Sequence, residues 1–181
     1  MRSFGMALAL VIGFSLSQVG AEDLKSGPDT KIGGAFQVKA ITGEKSGTQL
    51  CYVCAYGAQK RPGVVMIFTQ KADENLATIV KAVDEVQKSN AKLGTFVVGV
   101  GGVEAADLEK LQASHKLTTP LTISVDKDGP GAYKLNKDAV VTVVVYKQGG
   151  AVSKNFAFKD TKSAAEKAGE IAAAAKAVVA E

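Results

Sequence analysis

Cys51 and Cys54 are the only cysteines of this 181-residue chain, and both lie in the stretch LCYVCAYG, Leu50 to Gly57. Their Cys-x-x-Cys spacing is open to three chemistries. As a redox pair, two thiols this close exchange readily with an external disulfide, and Lys60 and Arg61 would favour a thiolate if they folded back. Tyr52, Val53 and Tyr56 work the other way, because an apolar surround opposes thiolate formation. As a structural disulfide, the pair closes so short a loop that chain entropy supplies only ~2 kcal/mol. As a metal site, two thiolates need partners. The chain has no second cysteine pair, and its one histidine, His115, is far away in sequence, so a closed zinc site is not expected. Haem attachment needs a histidine after the second cysteine, and Ala55 stands there. No cofactor and no metal are expected.

The other residues with chemical potential read as structure. His115 closes a predicted helix, where a cation is favoured by the helix C-terminus. GVGGVEA, Gly99 to Ala105, resembles half of a phosphate loop, but a GxGxxG pattern would need glycine where Glu104 stands. DKDG, Asp126 to Gly129, lacks the later ligands of a calcium loop and reads as a turn. Neither GxSxG nor HExxH occurs.

The first residues, MRSFGMALALVIGFSLSQVGAED, combine Arg2, an apolar run from Met6 to Leu16 and small residues up to Ala21. This is the form of a secretory signal peptide over residues 1–21. The expected product is an exported protein, periplasmic or secreted, with no membrane span after cleavage. Outside the cytosol a disulfide can persist. The formal charge of +4 comes from lysines interspersed with acidic residues, so no nucleic-acid partner is expected.

The chain that must position the cysteines alternates buried strands and helices. Residues 22–34 are polar and turn-rich and predict a loose lead-in. Strands are predicted at Ala35–Ile41, Val64–Thr69, Thr95–Val100, Leu121–Asp126, Ala139–Tyr146 and Ala151–Phe158. Thr42–Gln49 reads as a loop, KDGPGAYKLN as a turn and KQGG as a hairpin turn. Helices are predicted at Asp73–Lys92, capped by Asp73, at Glu104–His115, and at Thr161–Ala180, with Ser163 and Glu166 at capping-box spacing. This order argues a layered α/β domain over residues 35–181, closed by a hairpin and a final helix.

The pieces VVMIFTQKAD, TFVVGVGG, LTISVDKDGPGAYKL and TVVVYKQGGAVSKNFAF, in that order, resemble the thioredoxin-like superfamily, in particular its peroxiredoxin-like and exported TlpA-like branches. The resemblance covers about residues 32–181. It implies a central mixed sheet with a C-terminal hairpin and helices on both faces. It also implies redox cysteines after the first core strand and a cis-proline before the hairpin strand. At those places the chain has Thr69-Gln70-Lys71-Ala72-Asp73, without cysteine, and a run near Val141 without proline. The CxxC is displaced ahead of the core strand. If it stays close to that strand, it lies at the amino edge of the sheet, opposite the usual site.

The functional expectation is thiol–disulfide exchange with protein thiols or disulfides. By analogy with CxxC motifs, Cys51 would attack and Cys54 would resolve the mixed disulfide. The alternative is a redox-inactive binding or structural module whose cysteines only rigidify the LCYVCAYG loop.

Overall fold

The computed structural model describes residues 24–180. The expected signal peptide therefore lies outside the described residues. Seven strands form one mixed sheet in the order β2-β1-β5-β4-β3-β6-β7. They are β1 (Val38–Ala40), β2 (Gln49–Leu50), β3 (Gly63–Thr69), β4 (Gly94–Gly99), β5 (Leu121–Ser124), β6 (Val141–Lys147) and β7 (Val152–Phe158). The three strands β3, β4 and β5 run parallel, whereas β6 and β7 return antiparallel as a hairpin. The mixed sheet with its closing hairpin agrees with the sequence reading.

The apolar runs of β3, β4 and β6 are buried on both sides, because each sheet face is covered. Val65, Ile67, Val97, Val143 and Val145 point into one core. That face carries α2 (Glu74–Ser89), α3 (Ala105–His115), α4 (Thr161–Glu166) and α5 (Ala168–Ala180). Val64, Met66, Phe68, Phe96 and Val144 point into the other core. Its cover is smaller: α1 (Tyr52–Ala58), a 3-10 turn at Gly131–Tyr133, and Ile32 and Phe36 from the lead-in.

Four local expectations change. Gln49 and Leu50 form an edge strand, because β1 offers them a partner: Val38 pairs with Leu50 and Lys39 with Gln49. LCYVCAYG is helical from Tyr52 onward rather than a loop. The terminal helix breaks at Lys167 into α4 and α5, and its cap is Asp160, which accepts the Ser163 N–H at 2.7 Å. Gly169 weakens helix continuity there, and the break lets α4 follow β7 while α5 lies on β3 and β6. The lead-in is tied down: Ser26 Oγ lies 2.6 Å from Thr142 Oγ1, Asn155 Nδ2 donates to the Ser26 carbonyl, and Ile32 N donates to the Gly150 carbonyl.

Asp73 caps α2 as expected. One carboxylate oxygen accepts the N–H groups of Asn75 and Leu76, both at 3.1 Å, and the other accepts the Thr161 hydroxyl at 2.7 Å. Partial burial by itself would raise the Asp73 pKa, but the bonds from Thr161 and Leu76, with Lys71 nearby, hold it below the usual carboxylate value. A depressed folded-state pKa stabilises the fold above the ordinary aspartate pKa, about 3.9, and the benefit is lost as pH falls through the lower folded value. The melting-temperature gap between the wild type and Asp73→Asn should therefore be present at neutral pH and shrink below about pH 4. A gap unchanged in acid would contradict this origin.

Candidate functional site

The cysteines sit at the start of α1. Cys51 is its N-cap, in extended conformation, and Cys51 Sγ accepts the Cys54 N–H at 3.1 Å. The Cys51 carbonyl accepts the Ala55 N–H at 3.0 Å, which starts the helical ladder. Tyr52 and Tyr56 are four residues apart and so share one helix face. That face meets the sheet. Tyr52 stacks on Phe96 with ring centroids 5.2 Å apart, and Tyr56 meets the same ring edge-on at 6.0 Å. The Tyr56 hydroxyl donates to the Thr95 carbonyl at 2.8 Å. Gly94 makes room for this contact, since a Cβ there would lie 2.8 Å from Tyr56 Cδ2.

With Tyr52 and Tyr56 facing inward, residue 54 is directed to the opposite side of the helix. Accordingly Cys54 is exposed, whereas Cys51 is only 9% exposed. The two are joined as a disulfide with Cα atoms 5.3 Å apart. The aromatic surround expected from sequence is present. Burial, with Glu44 adding for Tyr52 and Tyr52 for Tyr56, pushes both tyrosine pKa values up, so both rings stay neutral.

The expected help from Lys60 and Arg61 is absent from the contacts of the pair. Lys60 takes a left-handed turn at φ 52° and is exposed. The Arg61 guanidinium lies 4.9 Å from the Tyr56 ring centroid and donates to the Ala91 and Leu93 carbonyls at 2.9 and 2.7 Å. It clamps the end of α1 onto the loop before β4, far from the sulfurs along the helix.

The position of the pair in the sheet is also sharper than the sequence could make it. Leu50 pairs with Val38, which pairs with Ser124, at the carboxyl end of β5. From there α1 runs back across the sheet face, and its last turn delivers the chain to the amino end of β3. The expectation of an amino-edge site thus holds for the end of α1 but not for its cysteines, which start from the β2 edge.

The location that resemblance assigns to redox chemistry is occupied by a different device. Gln70, just past β3, donates its backbone N–H to the Val140 carbonyl at 2.9 Å. Its side-chain amide donates to the Lys137 and Ala139 carbonyls at 2.9 and 2.8 Å. Thr69 is paired with Val141, so this lock sits where the cysteine and proline of the resemblance would meet. Beside it is a cavity of about 510 Å³ between the ends of β3, β4 and β6 and the 127–137 loop. Nothing in a motif search would find it, because its lining comes from four separate segments.

The remaining candidates are structural. His115 Nε2 lies 2.7 Å from Glu74 Oε2, linking the end of α3 to the start of α2. Gly101 and Gly102 take positive φ in the turn between β4 and α3. The Gly129 N–H closes the DKDG turn onto the Asp126 carbonyl at 2.8 Å. Among the described residues, no group of three or more His, Cys, Asp or Glu side chains could hold a metal. No described helix is long and apolar enough to cross a membrane.

Neither a family model nor a curated protein sequence matches the chain. Solved structures do. A secreted thiol-disulfide isomerase from Corynebacterium glutamicum superposes with a TM-score of 0.63 at 12% identity, over 89% of this chain and 96% of its own. The peroxidoxin BcpB of Mycobacterium tuberculosis gives 0.56 at 18% identity, over 85% and 97%. Peroxiredoxin Q of Xanthomonas campestris gives 0.56 at 16%, over 78% and 89%. Identities this low carry the fold alone. The chain is therefore a thioredoxin-fold protein, similar in architecture to thiol-disulfide isomerases and peroxiredoxins, whose CxxC disulfide stands on the helix before the first core strand.

Proposed function

We propose that the chain performs thiol–disulfide exchange through the Cys51–Cys54 disulfide, acting on protein thiols outside the cytosol. The observation that carries this reading is the exposure of Cys54 beside a buried Cys51, on a helix held to the sheet by Tyr52 and Tyr56. A staple serving stability alone gains nothing from one sulfur facing solvent. An incoming thiolate forms a bond to Cys54 Sγ, the Cys51–Cys54 bond breaks, and Cys51 leaves as the thiolate. The Cys54 N–H already directed at Cys51 Sγ stabilises that charge and makes it a better leaving group. A second substrate thiol, deprotonated, then attacks the mixed disulfide. The substrate leaves oxidised and the protein dithiol is reduced. This reverses the order expected from CxxC motifs generally, in which Cys51 would be the accessible sulfur. Export rests on the signal-like residues 1–21.

The test is a redox titration of the purified protein with thiol labelling, together with turnover of a model dithiol and Cys51→Ser as control. A potential above about −300 mV with turnover supports exchange. A potential far below about −300 mV without turnover would sink it. That outcome favours the second reading, a structural module in which the disulfide holds Cys51 as the cap of α1.

A further inference from the structure

The cavity beside Gln70 is independent of the cysteines, and its position, charge and floor converge on one ligand class. It lies at the switch point of the sheet. From β3 the chain continues to β4 and β5 on one side, while β6 and β7 return on the other. Ligands of open α/β sheets sit outside the carboxyl ends of strands at such a point. The volume, about 510 Å³, suits a small molecule. Lys127, Lys134 and Lys137 line it, against a single carboxylate from Asp128. Among the described residues, none of the three lysines forms an ion pair. The three exposed lysines and the one carboxylate leave the cavity lining with an excess of positive charge. Phe68, Val100 and Leu135 add an apolar lining. Phe68 is rigidly held, since its ring packs against Tyr133 at 5.5 Å and Phe36 at 5.9 Å. Gln70, bonded to the Lys137 and Ala139 carbonyls, fixes the loop that carries Lys137.

We propose that this cleft binds a small organic anion, with its carboxylate at Lys127, Lys134 and Lys137 and its apolar body on Phe68, Val100 and Leu135. An inorganic anion would leave the apolar lining unused, and a neutral apolar molecule would leave the lysines unmatched. The lysines are exposed, so each contributes modestly, about two- to fivefold in affinity, and the attraction weakens with salt.

The probe is octanoate, compared with octanol and inorganic phosphate by titration calorimetry on the purified chain. Saturable octanoate binding is expected, with octanol and phosphate at least about fivefold weaker. The triple variant Lys127→Gln, Lys134→Gln, Lys137→Gln should bind octanoate about tenfold more weakly while keeping the wild-type melting temperature, because the side chains are on the surface. Should the triple variant misfold, the single variant Lys137→Gln carries the test with a two- to fivefold loss. Absence of saturable octanoate binding overturns the proposal. So does phosphate or octanol binding as tightly as octanoate, or unchanged affinity in the folded lysine variants. Cys54→Ser should leave octanoate binding intact, so this test and the exchange test fail independently.

Discussion

Cys51→Ser is expected to accumulate a mixed disulfide on Cys54 when mixed with a small disulfide such as oxidised glutathione, and Cys54→Ser to react much more slowly through Cys51. Exchange is an in-line displacement, so an attacking thiolate and its target sulfur must meet without intervening atoms. Cys54 meets this condition on the solvent side of α1. Cys51 does not, at 9% exposure beside the packed face that Tyr52 and Tyr56 make with Phe96. Freeing it requires local opening of the helix start. An opening cost of only about 1.4 kcal/mol slows the reaction about tenfold. Mass spectrometry of quenched time points gives both rates. Equal rates, or faster trapping on Cys51, would overturn the proposed order of the two sulfurs.

Asp84→Ala should destabilise the fold by roughly 1–3 kcal/mol, a sizeable share of the stability of a domain this size. Asp84 is 3% exposed and sits on α2 facing the segment before β5. Its carboxylate accepts the Thr118 N–H at 2.8 Å, the Thr119 N–H at 2.9 Å and the Thr119 hydroxyl at 2.5 Å. The alanine variant leaves the buried Thr119 N–H without its acceptor, at a cost of about 1–3 kcal/mol, whereas Thr118 is exposed to water and the Thr119 hydroxyl can turn to Thr95. Thr119 Oγ1 also lies 2.9 Å from Thr95 Oγ1, and the Thr95 carbonyl is the acceptor for Tyr56. Asp84 thus supports, at one remove, the strand on which the cysteine helix is anchored. Asp84→Asn keeps one acceptor oxygen and should lose less. Denaturant unfolding measures both, and a loss below about 1 kcal/mol for the alanine variant would show that the donors find water instead.

The sequence was most informative where one pattern dominated. The continuous apolar runs at Val64–Thr69 and Ala139–Tyr146 read as strands buried on both faces, and buried strands are found at Gly63–Thr69 and, starting two residues later than expected, at Val141–Lys147. Asp73 announced its helix by type and position, and its cap is as expected. The stretch LCYVCAYG was harder. Seven helical residues are too few to display a helical period, and a breaker follows directly. Its helicity comes from contacts with Phe96 and Thr95, some forty residues downstream. β2 was invisible for the same kind of reason, since two residues are a strand only when β1 is beside them. The cut at Lys167 lay inside an alanine-rich run in which Gly169 was the one local sign against a continuous helix.

Residue type and periodicity, which local chemistry answers, determine the layered α/β order and the pairing candidates Cys51 and Cys54. The thioredoxin-like fold, and the cysteine and proline positions that this chain leaves empty, are what the resemblance of its segments to that superfamily implies. Which sulfur faces solvent, what Gln70 and Arg61 bind, and where three lysines converge were decided only by the tertiary structure. Each depends on how distant segments pack: α1 against β4, Gln70 against the 137–140 loop, and the 127–137 loop over the ends of β3 and β4. The exposure of Cys54 and the gathering of Lys127, Lys134 and Lys137 around one cavity are properties of that packing, and the spacing of these residues along the chain does not encode them.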